Sequence, residues 1–160
     1  MSQHDEMQQA LWKTLEGDRT VMLGIPGSEA GLPRPMTAQV EDGQGPVWFF
    51  AGRPNSLVDL ADGRHSAQMV VVSKGHDLFA TVNGTLTLHN DAATIDRLWN
   101  PFIAAWFEGK DDPKLALLRF EPRDAEVWRN ENNLLAGIKM LLGMDPKKDA
   151  GDSQAHIDLR

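Results

Sequence analysis

The longest regular pattern in the chain is LFATVNGTLTL, residues 78–88. Leu78, Ala80, Val82, Leu86 and Leu88 fall on one side, and Thr81, Asn83, Thr85 and Thr87 on the other. A period of two is the pattern of a strand with one face buried and one face wet. Gly84 interrupts the apolar side, as at a bulge or the bend of a barrel. Shorter β-prone segments accompany it at residues 20–25, 34–41, 47–51, 67–73, 115–121 and 125–129, the last two around Pro122. Within 34–41, Met36, Ala38 and Val40 alternate with Thr37, Gln39 and Glu41, and Asp42-Gly43 signals a hairpin whose loop is expected to exceed two residues. Helical spacing occurs at 5–16, 54–62 and 90–106, where Pro101 should kink or split the last, and at 132–142. Strands are not alternated one-for-one with helices, so a parallel doubly wound sheet is not expected. The pattern predicts a mainly β chain, an antiparallel barrel with helices at its ends or rim.

Composition narrows the function classes. The chain has 160 residues, a net charge of −7 and no cysteine. One domain can bury a sufficient core at this length. The acidic balance argues against a nucleic-acid binder. Without cysteine there is no disulfide, thiolate zinc site, iron–sulfur cluster or cysteine nucleophile. No apolar run has the length of a membrane span and the N-terminus lacks a signal-peptide core, so a soluble, cytoplasmic protein is expected. Residues 1–130 read as the domain, 131–144 as a C-terminal helix and 145–160 as a disordered tail, since the last has few apolar residues.

The chemistry is not that of a metal centre or a hydrolase. His4, His65, His76, His89 and His156 form no i, i+3 or i, i+4 pair, and neither a GxSxG elbow nor a P-loop is present. No metal is expected, and no catalytic acid or base can be named. The richest stretch is residues 31–57, GLPRPMTAQVEDGQGPVWFFAGRPNSL. It puts Arg34, Arg53, Asn55 and Ser56 near strand ends and a helix start, where charged forks, a hydroxyl and free backbone N–H groups suit a phosphate. Thr37 stands as a ligand contact or a strand-surface residue. Trp48, Phe49 and Phe50 add aromatic area beside them. Trp99 reads as core, Trp48 and Trp106 as core or pocket wall, and Trp128 as a subunit-interface or ring-stacking residue.

The order of these motifs resembles the general stress protein 26 family, within the pyridoxamine 5′-phosphate oxidase-like flavin-binding split barrels. The residues that carry the resemblance are Arg34-Pro35-Met36-Thr37, Val47-Trp48-Phe49-Phe50, Asn55-Ser56, Gly84 and Leu98-Trp99-Asn100-Pro101. Ala105-Trp106-Phe107, Asp111-Asp112-Pro113, Leu117-Leu118-Arg119, Pro122 and Ala125-Glu126-Val127-Trp128 complete it. The resemblance implies a six-stranded antiparallel split barrel that forms a homodimer, with flavin mononucleotide (FMN), or alternatively FAD, bound at the subunit interface. It implies that Arg34, Met36 and Thr37 lie along the flavin, with Arg34 near the phosphate. Backbone groups of Phe49, Phe50 and Ala51 would contact the ring and ribityl chain. Ser56 would meet the phosphate, and Trp106 or Trp128 would come from the C-terminal half. Leu57 stands where relatives commonly place a lysine, and Ala51 where threonine is frequent; Arg53 is the residue that would compensate. The implied activity is oxidoreduction of an unidentified small molecule, without pyridoxamine-phosphate oxidation, since no second cationic cluster is present. The alternatives are a flavin-sequestering stress protein without turnover, and a cofactor-less split-barrel dimer. A deazaflavin or haem ligand also stays open.

Overall fold

The computed structural model describes residues 2–130, 141–143 and 154–160. The helix expected over 132–142 and the tail segment 145–153 lie outside the described residues, apart from Leu141 and Leu142.

The alternating segment forms the central strand β6 (Leu78–Leu88), flanked by β5 (His65–Val72) and β7 (Leu115–Arg129), all antiparallel. Leu78, Ala80, Val82 and Leu86 point into the core at 2% exposure or less. β7 is a single strand, not two segments broken at Pro122. A bulge absorbs the proline: Asn83 pairs with Asp124 and Gly84 with Pro122, which leaves Arg123 as the extra residue. Gly84 is required there. A Cβ at this position would press on the Glu121 carbonyl and stand 2.8 Å from the Phe120 ring.

The remaining strands close the sheet on itself. They are β1 (Thr20–Gly24), β2 (Arg34–Thr37), β3 (Gln39–Glu41) and β4 (Gln44–Gly52), in the order β2-β1-β5-β6-β7-β4-β3. β2 and β3 lie at opposite ends of that order, yet only Ala38 separates them in the chain. The sheet must therefore curl until its two ends meet at Ala38, which is fully buried and donates its N–H to the Arg19 carbonyl at 2.7 Å. The expectation of one strand over 34–41 is corrected accordingly: the chain leaves the edge of β1 and joins β4. The hairpin between β3 and β4 is also tighter than expected. Asp42 and Gly43 alone form the turn, with φ of 55° and 63°, and Glu41 already pairs with Gln44. Positive φ at both central residues is what a two-residue hairpin needs to match strand twist.

An eighth strand, β8 (Gln154–Asp158), pairs with β7 across Asp124–Trp128. This stretch had been expected to be disordered. Its two apolar residues, Ala155 and Ile157, alternate correctly and both enter the principal core. They use the edge of β7 that β4 leaves open, since β4 pairs only with residues 115–120. Eight strands among the described residues thus replace the expected six.

Among the described residues, four helices dress the sheet. α1 (Gln3–Gly17) begins with a Ser2–Asp5 capping box and buries Met7, Leu11, Trp12 and Leu15, as its spacing predicts. α2 (Ser56–Ala61) buries Leu57, Val58 and Ala61. The expected long helix divides into α3 (Ala92–Leu98) and α4 (Pro101–Ala104), with Asn100 capping α4 and Pro101 in its first turn. α3 lies over the opposite face of β4 and β7 from the main core, with Ile95 and Leu98 against Trp48, Leu115 and Leu117. Trp99, expected in the core, is only half-buried there, because the break at Pro101 turns it to the edge of this second cluster.

Candidate functional site

A cavity of about 390 Å³ opens between the strands and α4. One wall is strand: Pro35, Met36 and Thr37 of β2, and Phe50, Ala51 and Gly52 at the end of β4. Opposite stand Phe102, Ile103, Trp106 and Phe107, which the break at Pro101 swings over the sheet. Asn55 lies at one end, and Thr20 and Gln39 also line the space.

The Asn55 end is a polar cradle. The Arg34 guanidinium donates from Nη1 to Asn55 Oδ1 and from Nη2 to Ser56 Oγ, each at 2.7 Å. Asn55 Oδ1 also accepts the Leu57 N–H at 2.8 Å, so the residue that caps α2 is the one that anchors Arg34. Two consequences follow from donor and acceptor counting. Ser56 accepts from Arg34, which leaves its own O–H free to donate outward. Arg34 Nε is buried with no partner among the described residues, a donor that a bound anion would satisfy. Arg34, Asn55 and Ser56 are thus brought together from two segments of the chain, by side chains alone, since α2 spans only six residues.

The rest of the cavity is uncharged. None of the described residues lining it carries an ionisable side chain. It is aromatic and open on its outer side, with Phe102 58% and Trp106 73% exposed.

Of the residues singled out in the sequence, Met36, Thr37, Phe50, Ala51, Asn55 and Trp106 line the cavity, and Arg34 and Ser56 complete its cradle. Three others are placed elsewhere. The Phe49 side chain is fully buried in the barrel core. Arg53 is exposed; its N–H donates to the Lys114 carbonyl, and its side chain makes no hydrogen bond or ion pair among the described residues. Trp128 lies on the outer face of the sheet, in a shallow groove with Val72 and Phe79. Leu57 does not face the cradle: its side chain is wholly buried beneath α2, in the principal core. Sequence reasoning missed Thr20, Pro35, Gln39, Gly52, Phe102, Ile103 and Phe107 as cavity residues. Phe102 and Ile103 carry the periodicity of a core helix, and only the break at Pro101 turns them to the cavity. Gln39 alternates with the apolar residues of its segment, yet it is buried at 8% exposure.

The profile of the family described as "Pyridoxamine 5'-phosphate oxidase like" matches residues 5–148. Among curated proteins, general stress protein 26 of Bacillus subtilis (strain 168) is 40% identical over 51 residues, which are 32% of this chain and 36% of that protein. The match therefore spans about a third of the curated relative. Among solved structures, the general stress FMN/FAD binding protein of Xanthomonas citri is 51% identical, with a TM-score of 0.77, covering 84% of this chain and 96% of that one. A general stress protein 26 from Jannaschia sp. CCS1 is 29% identical, with a TM-score of 0.81, covering 97% and 99%. The curled antiparallel sheet is the split barrel of these relatives, and the chain belongs to the pyridoxamine 5′-phosphate oxidase-like family.

Proposed function

We propose that the cavity binds a flavin, FMN in the first instance and FAD as the alternative, with the phosphate held by Arg34 and Ser56 and the ring against β2, β4 and the α4 wall. The observation that carries this reading is the Arg34–Asn55–Ser56 cradle, with its unpartnered buried Nε, at one end of an otherwise uncharged aromatic cavity. The donor set fits a phosphate: a fixed cation, a free hydroxyl and an N–H without a partner. The remaining lining fits a flat ring. Leu57 in place of lysine is compatible with this reading because its side chain belongs to the core, and because Arg34 already supplies a cation. Arg53 is not needed as a substitute, being turned to solvent.

When bound, the flavin supplies two-electron redox chemistry; the chain's part is to anchor the phosphate, align the ring and keep water from one of its faces. Among the described residues, no cavity-lining side chain can give or take a proton near neutral pH, so proton transfer would fall to the flavin, the solvent or a second molecule. That observation also favours the second reading, a flavin-sequestering protein without turnover. We further propose a homodimer in which a second copy covers Phe102 and Trp106 at the cavity mouth, since aromatic side chains so exposed are uncommon on a monomer's surface.

The test is a visible absorption spectrum after FMN is added and unbound ligand removed by gel filtration. Retention near one equivalent per chain, abolished in Arg34→Ala, supports the assignment. No retained flavin at high protein concentration overturns it. Oxidation of NADH or NADPH by the loaded protein separates an oxidoreductase from a sequestering protein, and sedimentation velocity reports the dimer.

A further inference from the structure

Resting on the flavin reading above, we propose that Gln39 is the residue that reads the ring end of the ligand, its amide N–H₂ donating to a carbonyl oxygen on the ring's edge. Arg19 acts as the positioning residue that holds the amide in that orientation.

The placement follows from the chain. Gln39 lies five residues beyond Arg34, across the switch at Ala38 from β2 to β3, a span of at most roughly 16 Å. A phosphate at Arg34 and a tricyclic ring joined to it by a ribityl chain span a comparable length. Gln39 lines the same cavity and is 8% exposed, so a hydrogen bond made there is shielded from water.

The orientation follows from donor and acceptor chemistry. Gln39 Oε1 lies 3.4 Å from Arg19 Nη1. A guanidinium has donors only, so the glutamine must turn its oxygen toward Arg19 and its N–H₂ away. Amide oxygen and nitrogen are otherwise hard to distinguish, but here the partner removes the ambiguity. Nε2 has no hydrogen-bond partner among the described residues. The N–H₂ is not sealed from solvent, so its donors are open to an acceptor that enters the cavity.

The chemistry of the acceptor follows from the rest of the lining. No ionisable group lines the cavity, so recognition at this end falls to neutral groups: Gln39, and the hydroxyls of Thr20 and Thr37. A neutral ring with carbonyl oxygens matches an N–H₂ donor, whereas an anionic substituent at this end would find no charge partner in the lining. The specificity of the two ends therefore differs in kind: charge at Arg34, a single oriented dipole at Gln39.

The test uses two probes and the full-length chain. FMN reports both ends, and lumichrome, the ring system without ribityl or phosphate, reports the ring end alone. Gln39→Leu is expected to weaken both by roughly tenfold, the worth of one well-shielded hydrogen bond, and to shift the visible band of bound FMN. Arg34→Ala is expected to weaken FMN and leave lumichrome unchanged. Arg19→Ala, on an exposed side chain, should weaken lumichrome about two- to threefold by the loss of one weak orienting contact, with Arg19→Lys restoring affinity. Arg19→Ala also serves as the reporter should Gln39→Leu not fold. If FMN binds but lumichrome affinity and the flavin band are the same in wild type, Gln39→Leu and Arg19→Ala, Gln39 is only a structural link to β1, and the inference is overturned while the flavin reading stands. If wild type binds neither probe, both are overturned.

Discussion

Two groups of aromatic side chains in this molecule have opposite fates. In the barrel interior, Phe49 and Phe120 are fully buried among Leu23, Leu86 and Leu118. At the cavity mouth, Phe102 and Trp106 stand largely in solvent. Both groups sit at sequence positions with an apolar rhythm, one of period two and one helical. The interior group satisfies its apolar area within one chain, which is what makes the barrel fold. The rim group leaves that area unsatisfied, which costs little stability but leaves a surface for a ring or a second copy. The contrast locates folding energy and binding energy in different places.

The sharpest way to break the contrast is at its stable side. Phe120→Ala empties a fully buried position against Gly84 and is expected to cost about 3–5 kcal/mol in denaturant unfolding. A cost below 1 kcal/mol would mean that the interior is not the source of stability.

Next in size is the cradle. Arg34→Ala removes two hydrogen bonds and the cation, and should weaken FMN binding by roughly ten- to a hundredfold. The unfolding midpoint should stay nearly unchanged. A fall in stability without a change in affinity would reassign Arg34 from site to scaffold. Smaller still is Trp106→Ala: stability within about 0.5 kcal/mol of wild type, as for an exposed position, and FMN affinity or dimerisation reduced several-fold, read by titration and sedimentation.

The smallest effect concerns β8, which belongs to the interior by its apolar residues but is fastened by exposed polar ones. Gln154 first, and then His156, hold the Glu126 carboxyl below its ordinary range. Asp124 is held down chiefly by Asn83 of β6 and then by Arg123 of β7, with His156 of β8 adding a smaller attraction. Both carboxyls are depressed in the folded state, so their contribution is complete above the unfolded values, about 4, and is lost as pH falls through the folded values. Amide protection at Ala155 and Ile157 should therefore drop below about pH 4 before that of β6 does. Loss of protection in both strands at the same pH would show that β8 unfolds only with the barrel.

Much of the strand inventory was legible because period-two burial is local: residues 78–88 needed no partner to declare a face. The helix break at Pro101 was legible for the same reason, since a missing N–H is a property of one residue. β8 was not legible, as two apolar residues form a strand only when β7 offers an unpaired edge. Pro122 misled in the same way, because the bulge that absorbs it is built with Asn83 and Gly84 on another strand. In the site, Arg34, Asn55 and Ser56 were legible as residue types suited to a phosphate. Their convergence was not, since it depends on hydrogen bonds between segments about twenty positions apart.

By itself, then, the sequence determined that this chain is an antiparallel β protein with a kinked helical cover and a phosphate-suited segment, because faces, turns and breaks are written in neighbouring residues. Tertiary structure alone decided that the sheet closes at Ala38, that Leu57 and Phe49 belong to the core, that Arg53 and Trp128 stand away from the cavity, and that Gln39 lines it. Each of these depends on which distant strand lies alongside, and curvature of a sheet is a property of all its strands together.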